Sequence, residues 1–62
     1  MKDWQVRVMN ERDNLNDNIE KLENFLDNTD DSFDMKSRDL LKCQLLVMQQ
    51  YSAILDMRIL DF

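Results

Sequence analysis

Between Leu40 and Phe62, fifteen of twenty-three residues are apolar, and they fall on every face of a helix rather than on one. One stripe, Leu41-Leu45-Met48-Leu55-Ile59-Phe62, fits a 3.6-residue period and can face a single partner helix. That leaves Leu40, Leu46, Val47, Ile54, Met57 and Leu60 spread over other faces. A helix that is apolar all round is buried all round. Leaving six such side chains in water forgoes roughly 1.5–3 kcal/mol each. The segment therefore predicts a long helix with more than one neighbour, and assembly of the chain through it.

The rest of the chain is too small to supply those neighbours. With 62 residues it forms one domain, residues 1–62, and a monomer of this size buries only about 60% of its unfolded surface. The absence of Gly, Pro and His excludes tight-hairpin sheets, phosphate-cradling Gly loops and His-based catalysis. A single cysteine excludes an internal disulfide framework and a thiolate-rich zinc site. Thirteen acidic against eight basic residues give a net charge of −5, the wrong sign for coating DNA or anionic lipid. No apolar run reaches the roughly 18 residues of a membrane span, and Met1-Lys2-Asp3-Trp4 is not a signal peptide. The expectation is a soluble, cytosolic, all-α chain without cofactor, metal, DNA or membrane partner.

A second helix precedes the apolar one. Trp4, Val8, Leu15, Ile19, Leu22 and Leu26 recur at helical spacing, with Phe25 beside them and the polar Glu11 and Arg12 interrupting the stripe. Asp3 is the expected N-cap. The run Asp27-Asn28-Thr29-Asp30-Asp31-Ser32 stops the pattern with residues that bond their own backbone. Phe33 and Met35 are expected to pin this connection onto the helices, and either Asp34 or Ser37 caps the apolar helix. Helix 1 thus spans about 3–26, the connection about 27–36 and helix 2 about 37–60. So short a break folds the helices back as an antiparallel hairpin, and the hairpins assemble into a homo-oligomeric helical bundle.

No constellation of catalytic residues stands out, and the chain reads as a non-enzyme. The acidic connection does not fit a calcium loop, because Ser32 stands where Gly is needed and Arg38 where Glu is. Cys43 lacks a histidine to activate it and reads as a structural thiol on a packed helix. On helix 1, Arg7, Asn10, Asn14, Asp17, Lys21 and Asn24 step by three and four and form one continuous row. Two readings stand for it: a solvated face, or amides and cations that meet bases and phosphates. Trp4 either stacks on a ligand ring or closes the hairpin end near Ile59 or Phe62. Tyr51 and Arg58 read as interface residues seeking a carboxylate such as Glu11.

The pattern Arg7-Val8-x-x-Glu11-x-x-x-Leu15-x-x-x-Ile19-x-Lys21-Leu22-x-x-Phe25-Leu26 covers the first half of the chain. Leu40-Leu41-x-x-Gln44-x-x-x-Met48-x-x-Tyr51-x-x-x-Leu55-x-x-Arg58-Ile59 covers the second. Together they resemble the small phage helical-hairpin proteins that include anti-CBASS nucleotide sponges, whose hairpin is shared with an anti-Thoeris sponge family. The resemblance implies an immune-evasion protein of the host bacterial cytoplasm. It would hold cyclic di- and trinucleotide alarm signals without cleaving them, in a homo-oligomer ranging from dimer to hexamer. It also implies ligand-binding roles: Lys21 and Arg7 for phosphates, Trp4 for base stacking and Asn24 for polar contacts. Asn18 stands where relatives often carry a cation, and Glu23 adds a negative charge nearby. The competing expectation is a phage hairpin that docks on a host or phage protein.

Overall fold

The computed structural model describes residues 1–30 and 33–62. Two helices, α1 (Asp3–Asn28) and α2 (Met35–Leu60), account for nearly all of them. They lie side by side in a rod of 48 × 14 × 13 Å, an antiparallel hairpin in which each 26-residue helix runs almost the whole length. Among the described residues there is no strand, and no helix is long and apolar enough to cross a membrane.

The two faces meet along paired heptad-like stripes. On α1 the least exposed positions are Gln5, Val8, Arg12, Leu15, Ile19, Leu22 and Leu26, with Met9 flanking. On α2 they are Arg38, Leu41, Leu45, Met48, Ser52, Leu55 and Ile59. The α2 stripe is the expected one, with Ser52 filling its gap, although Phe62 at its end stays 40% exposed. Among the described residues only Val8, Ile19 and Leu55 are buried apolar residues, Leu55 with none of its surface accessible. Two helices cannot enclose more than the centre of one seam.

The polar interruption in α1 has a structural use. Arg12 sits in the seam and bridges Asp13 of its own helix (2.9 Å) and Asp56 of α2 (3.1 Å). Hydrogen bonding to Asp56, and then to Asp13, holds the guanidinium pKa above its ordinary value. One turn further along, Ser52 donates to the Asn16 side chain at 2.6 Å, a second cross-helix polar contact.

Both helices extend two residues further into the connection than periodicity indicates. At the end of α1, Asn28 donates its side-chain amide to the Asn24 carbonyl and Thr29 its hydroxyl to the Leu26 carbonyl. The Thr29 bond satisfies a carbonyl that the helix end would leave open, and the Asn28 amide gives the Asn24 carbonyl a side-chain donor. Asp34 is the cap of α2, accepting from the Ser37 amide (3.2 Å) and hydroxyl (3.0 Å). The choice between Asp34 and Ser37 is thereby decided, since Ser37 is the capped residue three positions on. At the other end, Asp3 is not the cap of α1. The cap is Lys2, whose backbone amide donates to the Gln5 side chain at 2.9 Å. Asp3 instead lies in the first turn, where its charge complements the helix dipole.

The connection is pinned by Phe33, which meets Phe25 edge to face with centroids 5.4 Å apart. Arg38 adds bonds to the Thr29 hydroxyl (2.9 Å) and the Asp30 carbonyl (2.8 Å). Met35 does not share this role. It opens α2 on the outer face and is 75% exposed. Asp31 and Ser32, and with them the part of the calcium-loop comparison that used Ser32, lie outside the described residues.

Candidate functional site

Arg7, Asn10 and Asn14 occupy successive turns of α1 and form one wall of an open groove of about 460 Å³. Asn18 continues the wall, Leu15 and Glu11 line the floor side, and Tyr51 closes it from α2. The helical repeat explains the wall, because steps of three and four keep side chains on one face. Tyr51 is brought in by its hydroxyl, which donates to the Glu11 carboxylate across the hairpin. That bond, then partial burial and the Glu11 charge, push the phenol pKa up, while nearby Arg58 opposes the shift.

The groove therefore offers one guanidinium, three carboxamides and a ring, with Glu11 already occupied by Tyr51. Carboxamides both donate and accept, and so match the mixed edges of nucleobases. A guanidinium supplies the paired donors that phosphate oxygens take. Arg7 also borders a second depression with Asp3 and Val6, of about 420 Å³, and so stands on the ridge between two concavities.

The four residues singled out from the sequence do not converge in one protomer. Arg7 lines the groove; Lys21 and Asn24 do not. Fourteen residues of helix separate Arg7 from Lys21, which is about 21 Å along the axis. A row that is continuous on a helix face is thus far longer than a small ligand. Trp4 lies beyond the other end, edge-on to Phe62 with ring centroids 5.1 Å apart and an interplanar angle of 80°. It closes the hairpin end and keeps 45% of its surface exposed.

Sequence reasoning paired Tyr51 with Glu11, and the structure contains that contact. It did not place either residue in the groove with Arg7. The signal was present in the four-residue step from Arg7 to Glu11, which puts both on one side of α1. Arg58 does not join Glu11; among the described residues it makes no ion pair, and it lies with Ile54, Met57, Leu60 and Asp61 on the outer side of α2. Cys43 is exposed on α2 and is not packed within the hairpin. Among the described residues, no three carboxylate or thiol groups converge as a metal set would.

The family model for Sequestin matches residues 2–61, which is both helices and the connection between them. The chain belongs to the Sequestin family. No curated protein and no solved structure matches it. The family's name points to sequestration, and the match spans Arg7, its asparagine neighbours and Tyr51 alike.

Proposed function

We propose that this hairpin binds cyclic oligonucleotide immune signals, cyclic dinucleotides and trinucleotides, and withholds them from the effector they activate. In a CBASS-type defence the effector is then never switched on. The protein acts in the host bacterial cytoplasm, and it holds its ligand intact rather than cleaving it.

The observation that carries the reading is the alignment of Arg7 with Asn10, Asn14 and Asn18 along one groove, in a chain of the Sequestin family. Its volume lies within the range of small-molecule pockets, about 300–1,000 Å³. Arg7 takes a phosphate, the amides read base edges, and the Tyr51 ring borders the base. One guanidinium beside Glu11 is too little charge for two phosphates. The second cation comes from another copy, in a homo-oligomer. Lys21 is suited to that role, because α1 carries Arg7 and Lys21 on one row, seven residues either side of Asn14. Two antiparallel α1 helices paired about Asn14 bring Arg7 of one copy beside Lys21 of the next.

A second reading, docking of the hairpin on a host or phage protein, is favoured by the apolar side chains that α2 leaves open. Native mass spectrometry with cyclic dinucleotides, cyclic trinucleotides and a cyclic ADP-ribose separates these. Retention of an intact cyclic oligonucleotide in a whole-number ratio supports the first reading. Retention of the cyclic ADP-ribose alone keeps sequestration and overturns the ligand class. Retention of nothing across the panel favours docking.

A further inference from the structure

The outer face of α2 carries a second seam: Leu40, Cys43, Val47, Gln50, Ile54 and Met57 step by three and four and are all exposed. From Cys43 to Leu55 no residue of α2 bears a charge, while Lys36 and Asp39 stand before this stretch and Arg58 and Asp61 after it. None of these four makes an ion pair among the described residues. Near the far end, Ile54, Met57, Arg58 and Asp61 line a depression of about 390 Å³. Their spacing, i, i+3, i+4 and i+7, is that of a hole that receives one side chain of a facing helix.

We propose that α2 pairs with α2 of a second copy, antiparallel, about a two-fold axis between Met48 and Gln49. In this register Leu40 of one copy enters the Ile54–Met57–Arg58–Asp61 hole of the other. Cys43 then faces Ile54, and Val47 faces Gln50. The charges select the same register, because Lys36 falls opposite Asp61. A parallel pairing sets Lys36 against Lys36 and Asp61 against Asp61, which like-charge repulsion opposes. A two-fold contact is also self-complementary by construction. The pair must cover about 800 Å² per partner to be stable, roughly a sixth of the 4936 Å² that the hairpin exposes. The pairing rests on the homo-oligomer part of the reading above and not on the ligand. It occupies the face that a docking module would need for its partner.

Cysteine cross-linking tests it on the full chain. In the proposed register the two Cys43 residues lie eleven residues apart along the axis, about 16 Å. That is too far for a disulfide, whose Cα atoms are at most about 7 Å apart. Oxidation by diamide is therefore expected to leave wild type unlinked and to link most chains of Ile54→Cys as Cys43-to-54 dimers. Ile54 is exposed in the hairpin, so the variant keeps its fold. Rapid Cys43–Cys43 linkage in wild type overturns the antiparallel register, and a monomer at all concentrations in sedimentation overturns the pairing itself. Lys36→Asp is expected to weaken the dimer roughly fivefold, with Asp61→Lys restoring it in the double variant. Failure of the double variant to recover contradicts the register. No nucleotide enters these experiments, so they succeed or fail separately from the ligand assignment.

Discussion

Ser52 of α2 donates a 2.6 Å hydrogen bond to the side chain of Asn16 of α1, inside a seam that is otherwise mostly apolar. A polar pair at one level of a two-helix interface discriminates between registers, because a slip of one turn leaves the buried Ser52 hydroxyl without its partner. Arg12 and Asp56 make the neighbouring cross-helix contact at 3.1 Å, so both polar links sit in the same half of the rod.

Replacing Ser52 with Ala is expected to cost about 0.5–1.5 kcal/mol, the net worth of one hydrogen bond. For a chain this short that lowers Tm by several degrees. Thermal melts of Ser52→Ala, Asn16→Ala and the double variant, at one fixed protein concentration, give the coupling. Additive losses would mean that the two side chains do not interact.

Leu55 is the most enclosed side chain of the hairpin. Leu55→Ala is expected to lose about 2–5 kcal/mol, enough to unfold much of the population of so small a domain. Urea titration followed by circular dichroism measures it. A loss below about 1 kcal/mol would contradict the placement of Leu55 at the centre of the seam.

Asp34 caps α2 through Ser37. Asp34→Ala is expected to cost about 1 kcal/mol, and Asp34→Ser or Asp34→Asn much less. Urea midpoints of the three variants provide the comparison; equal loss in all three would mean that charge, rather than capping, is what Asp34 contributes.

Tyr51 is the single tyrosine of the chain, so its ultraviolet titration is unambiguous. The bond to Glu11 holds the phenol pKa above its ordinary value. A folded pKa above the unfolded one stabilises the protonated form. The contribution is complete below the unfolded value near 10 and disappears as pH rises through the folded value. The tyrosinate midpoint is expected to exceed that of free tyrosine in wild type and to fall back towards it in Glu11→Gln. A wild-type midpoint at the free-tyrosine value would remove the contact.

The hairpin was legible because two independent stripes, one on each side of an Asp- and Asn-rich break, kept the same period. Its ends were less so. Asp3 looks like a cap by type, yet Lys2 holds the position with its backbone, and local hydrogen bonds from Asn28 and Thr29 lengthen α1 in ways that apolar spacing does not register. Met35 illustrates the same limit, since an apolar residue in a polar stretch gives no direction for its side chain. The excess of apolar residues on α2 was legible as a count, and the structure adds which of them remain exposed within a protomer. For the site, Arg7 was found through its row, but rows on helices have no ends. Only the position of α2, through Tyr51, shows which turns of α1 form a groove, and Lys21 and Asn24 fall outside it.

The most direct measurement compares ligand retention by wild type and Arg7→Ala in native mass spectra of the intact assembly with a cyclic dinucleotide. Wild type is predicted to keep the unmodified nucleotide through buffer exchange, and Arg7→Ala to assemble equally and lose it. Equal retention by Arg7→Ala, or a cleaved nucleotide recovered from wild type, would contradict sequestration in the Arg7 groove.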